Sequence, residues 1–298
     1  MFRYATALWA ILLIAPAQAD VIDLADQPAL PRSVAISQNP DSSRDLVLLG
    51  ADLVEIAVAL GAADRILARP EAVDLPGLED TPHKMREYAG VEGIASMRPG
   101  VVVASNARFE QLLAGLSDIR IPNQLIDRSL PATEKVTRMA RLLELDARGE
   151  QLNHEIRSSF AKAQAITRSE RPLRILHVSK QGAGGSFSAG GAGTGVDNLI
   201  RRVGAQNAAA AIGMDRYRSV TPEGVILMQP DVVLISQAEL PAFGNIDDIW
   251  NDYPGLALTP AGRANNLIIM RDLHVRADAA SSGVATLALA QALVEMFP

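Results

Sequence analysis

Cysteine is absent from all 298 residues, so neither disulfide staples nor thiol catalysis is available to this chain. Aromatic residues make up only 4%, no basic run occurs, and acidic residues outnumber basic ones to give a formal charge of −6. That balance argues against a nucleic-acid surface and against a basic membrane-surface helix. Histidine is scarce as well. His83, His154, His177 and His274 are dispersed, without H-E-x-x-H or any other metal spacing, which excludes a closed zinc site read from motif alone. No G-x-S-x-G elbow is present, so a hydrolase would need a triad that the sequence does not advertise.

Long apolar runs are also missing, with one exception at the start. Arg3 and the amino terminus supply positive charge, Ala5 to Ala15 is apolar apart from Thr6, and Ala17-Gln18-Ala19 fits a small-x-small cleavage site. The run is too short for the roughly 20 residues that span a bilayer. The pattern is that of a secretory signal over residues 1–19. A lipid-anchored product would need cysteine after the cleavage site, where Asp20 stands. The expectation is a soluble periplasmic protein, long enough for two domains with cores of their own.

What is present, twice, is one short unit. Glu92-Gly93-Ile94-Ala95-Ser96-Met97-Arg98-Pro99-Gly100-Val101-Val102-Val103 and Glu223-Gly224-Val225-Ile226-Leu227-Met228-Gln229-Pro230-Asp231-Val232-Val233-Leu234 align without a gap. Helix-compatible sequence runs into proline, which forbids continuation by removing a donor and clashing with the preceding turn. The aliphatic runs that follow do not alternate with polar residues, as expected for strands covered on both faces of a parallel sheet. The repeat predicts two α/β lobes.

In chain order, residues 20–43 are polar and predict an edge strand at most. Leu46 to Leu49 reads as a strand, and Leu53, Ile56, Ala57 and Leu60 keep helical spacing up to Gly61. Residues 82–88 lie in a long connection with three prolines after Pro70 inclusive, and long connections within domains tend to be functional. This segment is a candidate ligand wall. From Pro131 to Arg168 a helical period persists, with a break expected at Asp146 and Gly149, so that a helix of about three turns precedes one of about five that joins the lobes. The organisation predicted is an N-terminal lobe over 20–146, a linking helix over 147–170 and a C-terminal lobe over 171–298.

The second lobe opens with a strand, then a glycine-rich stretch from Lys180 to Gly195 that predicts a loop. It has neither G-x-G-x-x-G nor the Lys-Ser/Thr ending of a phosphate loop, and is expected to form a cleft edge whose amides can meet a carboxylate. Glu92 and Glu223 begin equivalent helices, where the helix dipole favours a carboxylate by about 0.3 to 1 kcal/mol. Two equivalent acidic points, one on each lobe, also make a two-pronged docking surface.

Five stretches carry a resemblance: Gly50 with Glu55 to Gly61, the repeat itself, Ala189 to Asp197, Tyr217 to Glu223 and Pro254 to Gly262. Through them the chain resembles the class III substrate-binding proteins of ABC importers, two α/β lobes joined by a helix. Within that class it is most similar to periplasmic haem-binding proteins. The resemblance implies a monomer without catalytic activity or cofactor of its own, which delivers haem to an inner-membrane permease and ATPase. It implies docking through Glu92 and Glu223. Such proteins usually hold ferric haem by a tyrosine seven residues before the first-repeat glutamate. That position here is Met85, or Lys84 with one gap. His83 and Tyr88 flank it, and His, Met and Tyr all ligate haem iron, so the iron ligand is expected among Tyr88, His83 and Met85. Some relatives place a histidine where Lys180 stands. Lys180 and Arg276 are expected to pair with haem carboxylates. A siderophore, a cobalamin, or an enzyme or interaction module on the same scaffold are the alternatives.

Overall fold

The computed structural model describes residues 21–32, 43–86, 89–167, 171–181, 186–253 and 255–298. The predicted signal segment lies outside them. A short strand, β1 (Val21–Leu24), leads by way of residues 25–45 to the first lobe, which starts at β2 (Leu46–Leu49) and α1 (Ala51–Ala59). Next come β3 (Ile66–Pro70), β4 (His83–Met85), α2 (Val91–Ser96), β5 (Val101–Ala104), α3 (Glu110–Asp118) and β6 (Asn123–Leu125). The five strands from β2 to β6 form one sheet in the order β4-β3-β2-β5-β6, with every pairing parallel. Its central strands are apolar throughout because both faces are covered. Leu46, Leu48 and Val103 enter one core, and Val47, Leu49, Val102 and Ala104 the other.

Two helices then link the lobes, α4 (Ala132–Leu142) and α5 (Asp146–Ile166). The break between them falls at residues 143–145, where Glu144 is left-handed with φ 60°. Gly149 does not break the chain as the sequence reading expected. It lies inside α5, where a Cβ would stand 2.4 Å from that of Ala140, so glycine here serves the close crossing of α4 and α5. Further along α5, Leu152 and Ile156 join the first-lobe core and Ala163 the second.

The second lobe contains β7 (Arg174–Gln181), β8 (Ser186–Gly190), α6 (Gly195–Arg202), β9 (Gln206–Asn207), α7 (Ala208–Ala211), β10 (Tyr217–Ser219) and α8 (Pro222–Met228). It continues with β11 (Val232–Ser236), α9 (Asp248–Asp252), α10 (Pro260–Ala264), β12 (Leu267–Met270), α11 (Asp272–Arg276) and α12 (Ser282–Met296). Its sheet runs β1-β12-β11-β7-β8-β10, with β9 also on β7.

Two sequence expectations change here. Residues 21–24, placed in the first lobe by the reading of the sequence, extend the second sheet instead, pairing in parallel from Val21 with Leu267 to Leu24 with Met270. The gain is physical: β12 is fully buried, and β1 covers the edge it would otherwise leave open, with Leu24 entering the adjoining core. The glycine-rich stretch is not one loop either. Residues 186–190 pair antiparallel with β7, Val178 opposite Ala189, because Phe187 and Ala189 alternate with serines and turn into the core.

The repeated unit folds the same way in both lobes. Ile94 and Val225 are buried at equivalent places. In each copy the residue before proline is left-handed, Arg98 with φ 55° and Gln229 with φ 45°, which reverses the chain into β5 and β11.

Segment 277–281, between α11 and α12, joins the lobes a second time. Ala277, Ala279 and Ala280 are packed in the first-lobe core, while Asp278 is held from the second lobe by Arg202 (2.5 Å) and Asn198 (2.8 Å). From the first lobe, Lys135 Nζ donates to Asp52 Oδ2 (3.1 Å) and to the Ala277 carbonyl (2.9 Å). The Glu55 carboxylate accepts the Ser281 N–H. The acidic residue of the Glu55 to Gly61 stretch is thus a fully buried joint between the lobes.

Candidate ligand cleft

Parallel α/β sheets bind ligands beyond the carboxyl ends of their strands, and here both sheets point those ends at one cleft between the lobes. Two adjoining pockets of about 200 and 420 Å3 share Ala51, Asp272 and Leu273 as lining. Close backbone approach shapes the floor. A Cβ on Gly50 would fall 2.1 Å from Ser105 Oγ, so β2 and β5 can end this near to one another only with glycine at position 50.

Three guanidinium groups line the smaller pocket: Arg108, Arg128 and Arg276. Arg108 follows β5, where Asn106 caps the turn by accepting the Arg108 N–H (3.0 Å), and its guanidinium lies 4.7 Å from the Phe109 ring centroid. Arg128 follows β6. Its backbone is anchored by donation to the Ser105 carbonyl (2.8 Å), and its exposed guanidinium forms no ion pair among the described residues. Arg276 is different, because it is built into a network. Its Nη2 donates to Ser179 Oγ (2.8 Å) and Glu239 Oε1 (3.0 Å), and its Nε donates to Asp272 Oδ1 (2.8 Å). Ser236 donates to the same Asp272 oxygen (2.8 Å), and Ser179 to Glu239 (2.6 Å). Two carboxylates therefore balance Arg276, while no ion pair among the described residues offsets Arg128. Asp52, also in the lining, is compensated by Lys135.

Behind this network lies a dry layer. His177, on β7, is fully buried with neither ring nitrogen bonded among the described residues, and burial pushes its imidazole down to about 3. It packs edge-on against Tyr217 at 5.7 Å, whose phenol burial pushes up. Both are packing groups at neutral pH.

The residues singled out from the sequence fall in several places. Arg276 lines the cleft. Lys180 lines neither pocket; its Nζ meets Asp252 (3.4 Å) and lies 5.3 Å from the Phe243 ring centroid. His83 is exposed on the edge strand β4, Met85 is buried in the first-lobe core beside Leu67 and Ala68, and Tyr88 lies outside the described residues. Of the iron-ligand candidates, the two that are described, His83 and Met85, are thus not brought together. Glu92 and Glu223 are exposed on α2 and α8, and neither forms an ion pair among the described residues. Nor does any group of three acidic or histidine side chains among those residues form a metal cluster. Sequence reasoning missed Arg108, Arg128, Glu239 and Asp272. The signal for Arg128 was its place just past the short apolar pair Leu125-Ile126, at the carboxyl end of β6, where parallel sheets put their ligand contacts.

The family model described as periplasmic binding protein matches residues 46–273. The chain belongs to the periplasmic binding protein family. Among solved structures, this family member is similar to the periplasmic heme-binding protein RhuT from Roseiflexus sp. RS-1, at 28% identity and a TM-score of 0.76, over 86% of this chain and 99% of that one. It is similar also to the periplasmic heme-binding protein BhuT in complex with two hemes, at 26% and 0.74, over 86% and 100%. The periplasmic heme-binding protein HutB of Vibrio cholerae gives 25% and 0.72 over the same shares. No curated protein sequence matches it. The family and these neighbours are binding proteins rather than enzymes, and no helix among the described residues is long and apolar enough to cross a membrane.

Proposed function

We propose that this family member binds haem in the periplasm and hands it to an inner-membrane ABC importer, performing no chemistry of its own. The observation that carries the reading is the arginine-lined cleft. In a chain of net charge −6, three guanidiniums meet in one pocket between the lobes, and a porphyrin offers two carboxylates beside large apolar faces for such a pocket to recognise. Arg128 and Arg108 take one propionate from the first lobe, with Arg276 facing it from the second. Lys180 serves as a rim cation. The similarity to haem-binding proteins over nearly their whole length supports the same ligand.

For the iron, parallel sheets put their ligand contacts just past the carboxyl ends of their strands, and β4 ends at Met85. Tyr88 follows that end by three residues in the sequence, whereas His83 sits two residues back from it and Met85 packs in the core. Tyr88 phenolate is therefore the preferred ligand of ferric haem iron. Glu92 and Glu223 dock the protein, as a monomer, onto cationic side chains of the two permease subunits. The test is spectroscopic. Tyr88→Ala should change the charge-transfer and Soret bands of the hemin complex, while His83→Ala and Met85→Ala should leave them as in wild type; an unchanged Tyr88→Ala spectrum would remove the assignment.

A further inference from the structure

Seven large hydrophobic side chains are exposed among the described residues, and the two most exposed are Leu227 at 67% and Leu258 at 57%. Isolated exposed leucines are ordinary on protein surfaces. These two stand on adjoining segments: the Gly255 backbone meets Pro222 at one end of α8 and the Ala261 N–H donates to the Pro230 carbonyl (2.9 Å) just past the other, so residues 255–261 run alongside the helix that carries Glu223. Leu227 is four residues after Glu223 on α8, and residues so spaced share one face of a helix. The inward face of α8 is accounted for by Val225 and Met228, both buried. Leu258 ends the short 3-10 turn Leu256–Leu258, whose capping residue Gly255 comes so near the start of α8 that a Cβ there would meet the Pro222 carbonyl at 2.5 Å.

The first lobe does not repeat this feature. The gapless register that pairs Glu92 with Glu223 pairs Ser96 with Leu227, and the Ser96 hydroxyl is spent locally on the Gly93 carbonyl (2.7 Å). The two prongs are alike in charge and unlike in apolar surface. An unpaired carboxylate beside exposed leucine calls for a partner that presents a cation next to an apolar depression.

We infer that Leu227 and Leu258 form an apolar anchor beside Glu223, which seats the second lobe in a hydrophobic recess of the importer's permease while the first lobe is held by charge alone. This rests on the reading of the protein as an importer's binding protein. The asymmetry has a consequence: an otherwise pseudo-twofold protein engages its two docking points unequally. The anchored contact should govern residence time, and the purely ionic contact should weaken as salt is raised.

Binding of the hemin-loaded protein to its cognate haem importer in nanodiscs tests this, with hemin affinity and oligomeric state measured on the same samples. Leu227→Ser with Leu258→Ser should weaken importer binding at least tenfold and shorten residence, leaving the hemin titration and the sedimentation of the free protein unchanged. Ser96→Leu should cause no loss. Wild-type importer binding by the leucine variant would overturn the anchor. So would a wild-type dimer that the same variant dissolves, since the patch would then face a second copy. Glu92→Arg with Glu223→Arg separates the two ideas: if that variant binds as wild type while the leucine variant does not, ionic docking fails and the anchor stands.

Discussion

Glu55 carries an unusual burden for a carboxylate. It is fully buried, it accepts the Ser281 N–H from the other lobe, and its second oxygen has no partner among the described residues. Burial pushes its pKa up to about 7, against opposing effects of the Ser281 hydrogen bonds and Lys135. A carboxyl whose folded-state pKa exceeds its unfolded value makes the folded state bind more protons between the two values, so stability falls as pH rises through that window. The window runs from about 4.5 to about 7, and the loss across it is on the order of 3 kcal/mol at 1.36 kcal/mol per unit. Glu55→Gln keeps an acceptor for Ser281 and removes the charge. It should flatten the dependence and make the variant more stable than wild type at pH 8 but not at pH 4, as measured by urea unfolding. A wild-type slope in the variant would assign the pH dependence to other groups. At this scale the sequence showed little. Glu55 reads as an ordinary polar position on an amphipathic helix, and only the far-off segment 277–281 reveals that its face is covered.

At the scale of elements, legibility followed the range of the interaction. The repeat, its proline stops and the apolar runs at 46–49, 101–104 and 232–235 were readable because each reflects burial on both faces or a local steric rule. The pairing of Val21–Leu24 with β12 was not, since its partner is some 250 residues away in sequence and nothing local marks it. The hairpin of β7 and β8 was hidden by its glycines, although the alternation of Phe187 and Ala189 with serine was there to be read. Gly149 was seen and misassigned, because a glycine that ends a helix and one that admits a neighbouring helix look alike in one dimension. An uncrowded helix position and a crossing point make opposite predictions. Were Gly149 merely an interior helix glycine with open space beside it, alanine would help by about 1 kcal/mol of helix propensity. As a crossing point 2.4 Å from Ala140, Gly149→Ala should instead destabilise by about 1 to 2 kcal/mol through overpacking, which thermal unfolding would register as a lowered midpoint. A raised midpoint would contradict the crossing.

The whole molecule is two sheets whose carboxyl ends face one another across a cleft, tied by α5 and by segment 277–281. These ties argue for limited hinge motion, because the joining segment is embedded in the core of one lobe and ion-paired to the other. The architecture and the family were legible from the repeat, and the cleft followed from the topology. Of its charged lining Arg276 was legible, whereas Arg108 and Arg128 are brought beside it only by folding. Recognition of haem through its carboxylates is measured by Soret titration of wild type with hemin and with hemin dimethyl ester, repeated for Arg108→Ala with Arg128→Ala. Wild type should bind hemin tightly and the ester at least tenfold more weakly, and the double variant should no longer distinguish the two. No hemin binding by wild type, or equal affinity for hemin and its ester, would contradict such recognition.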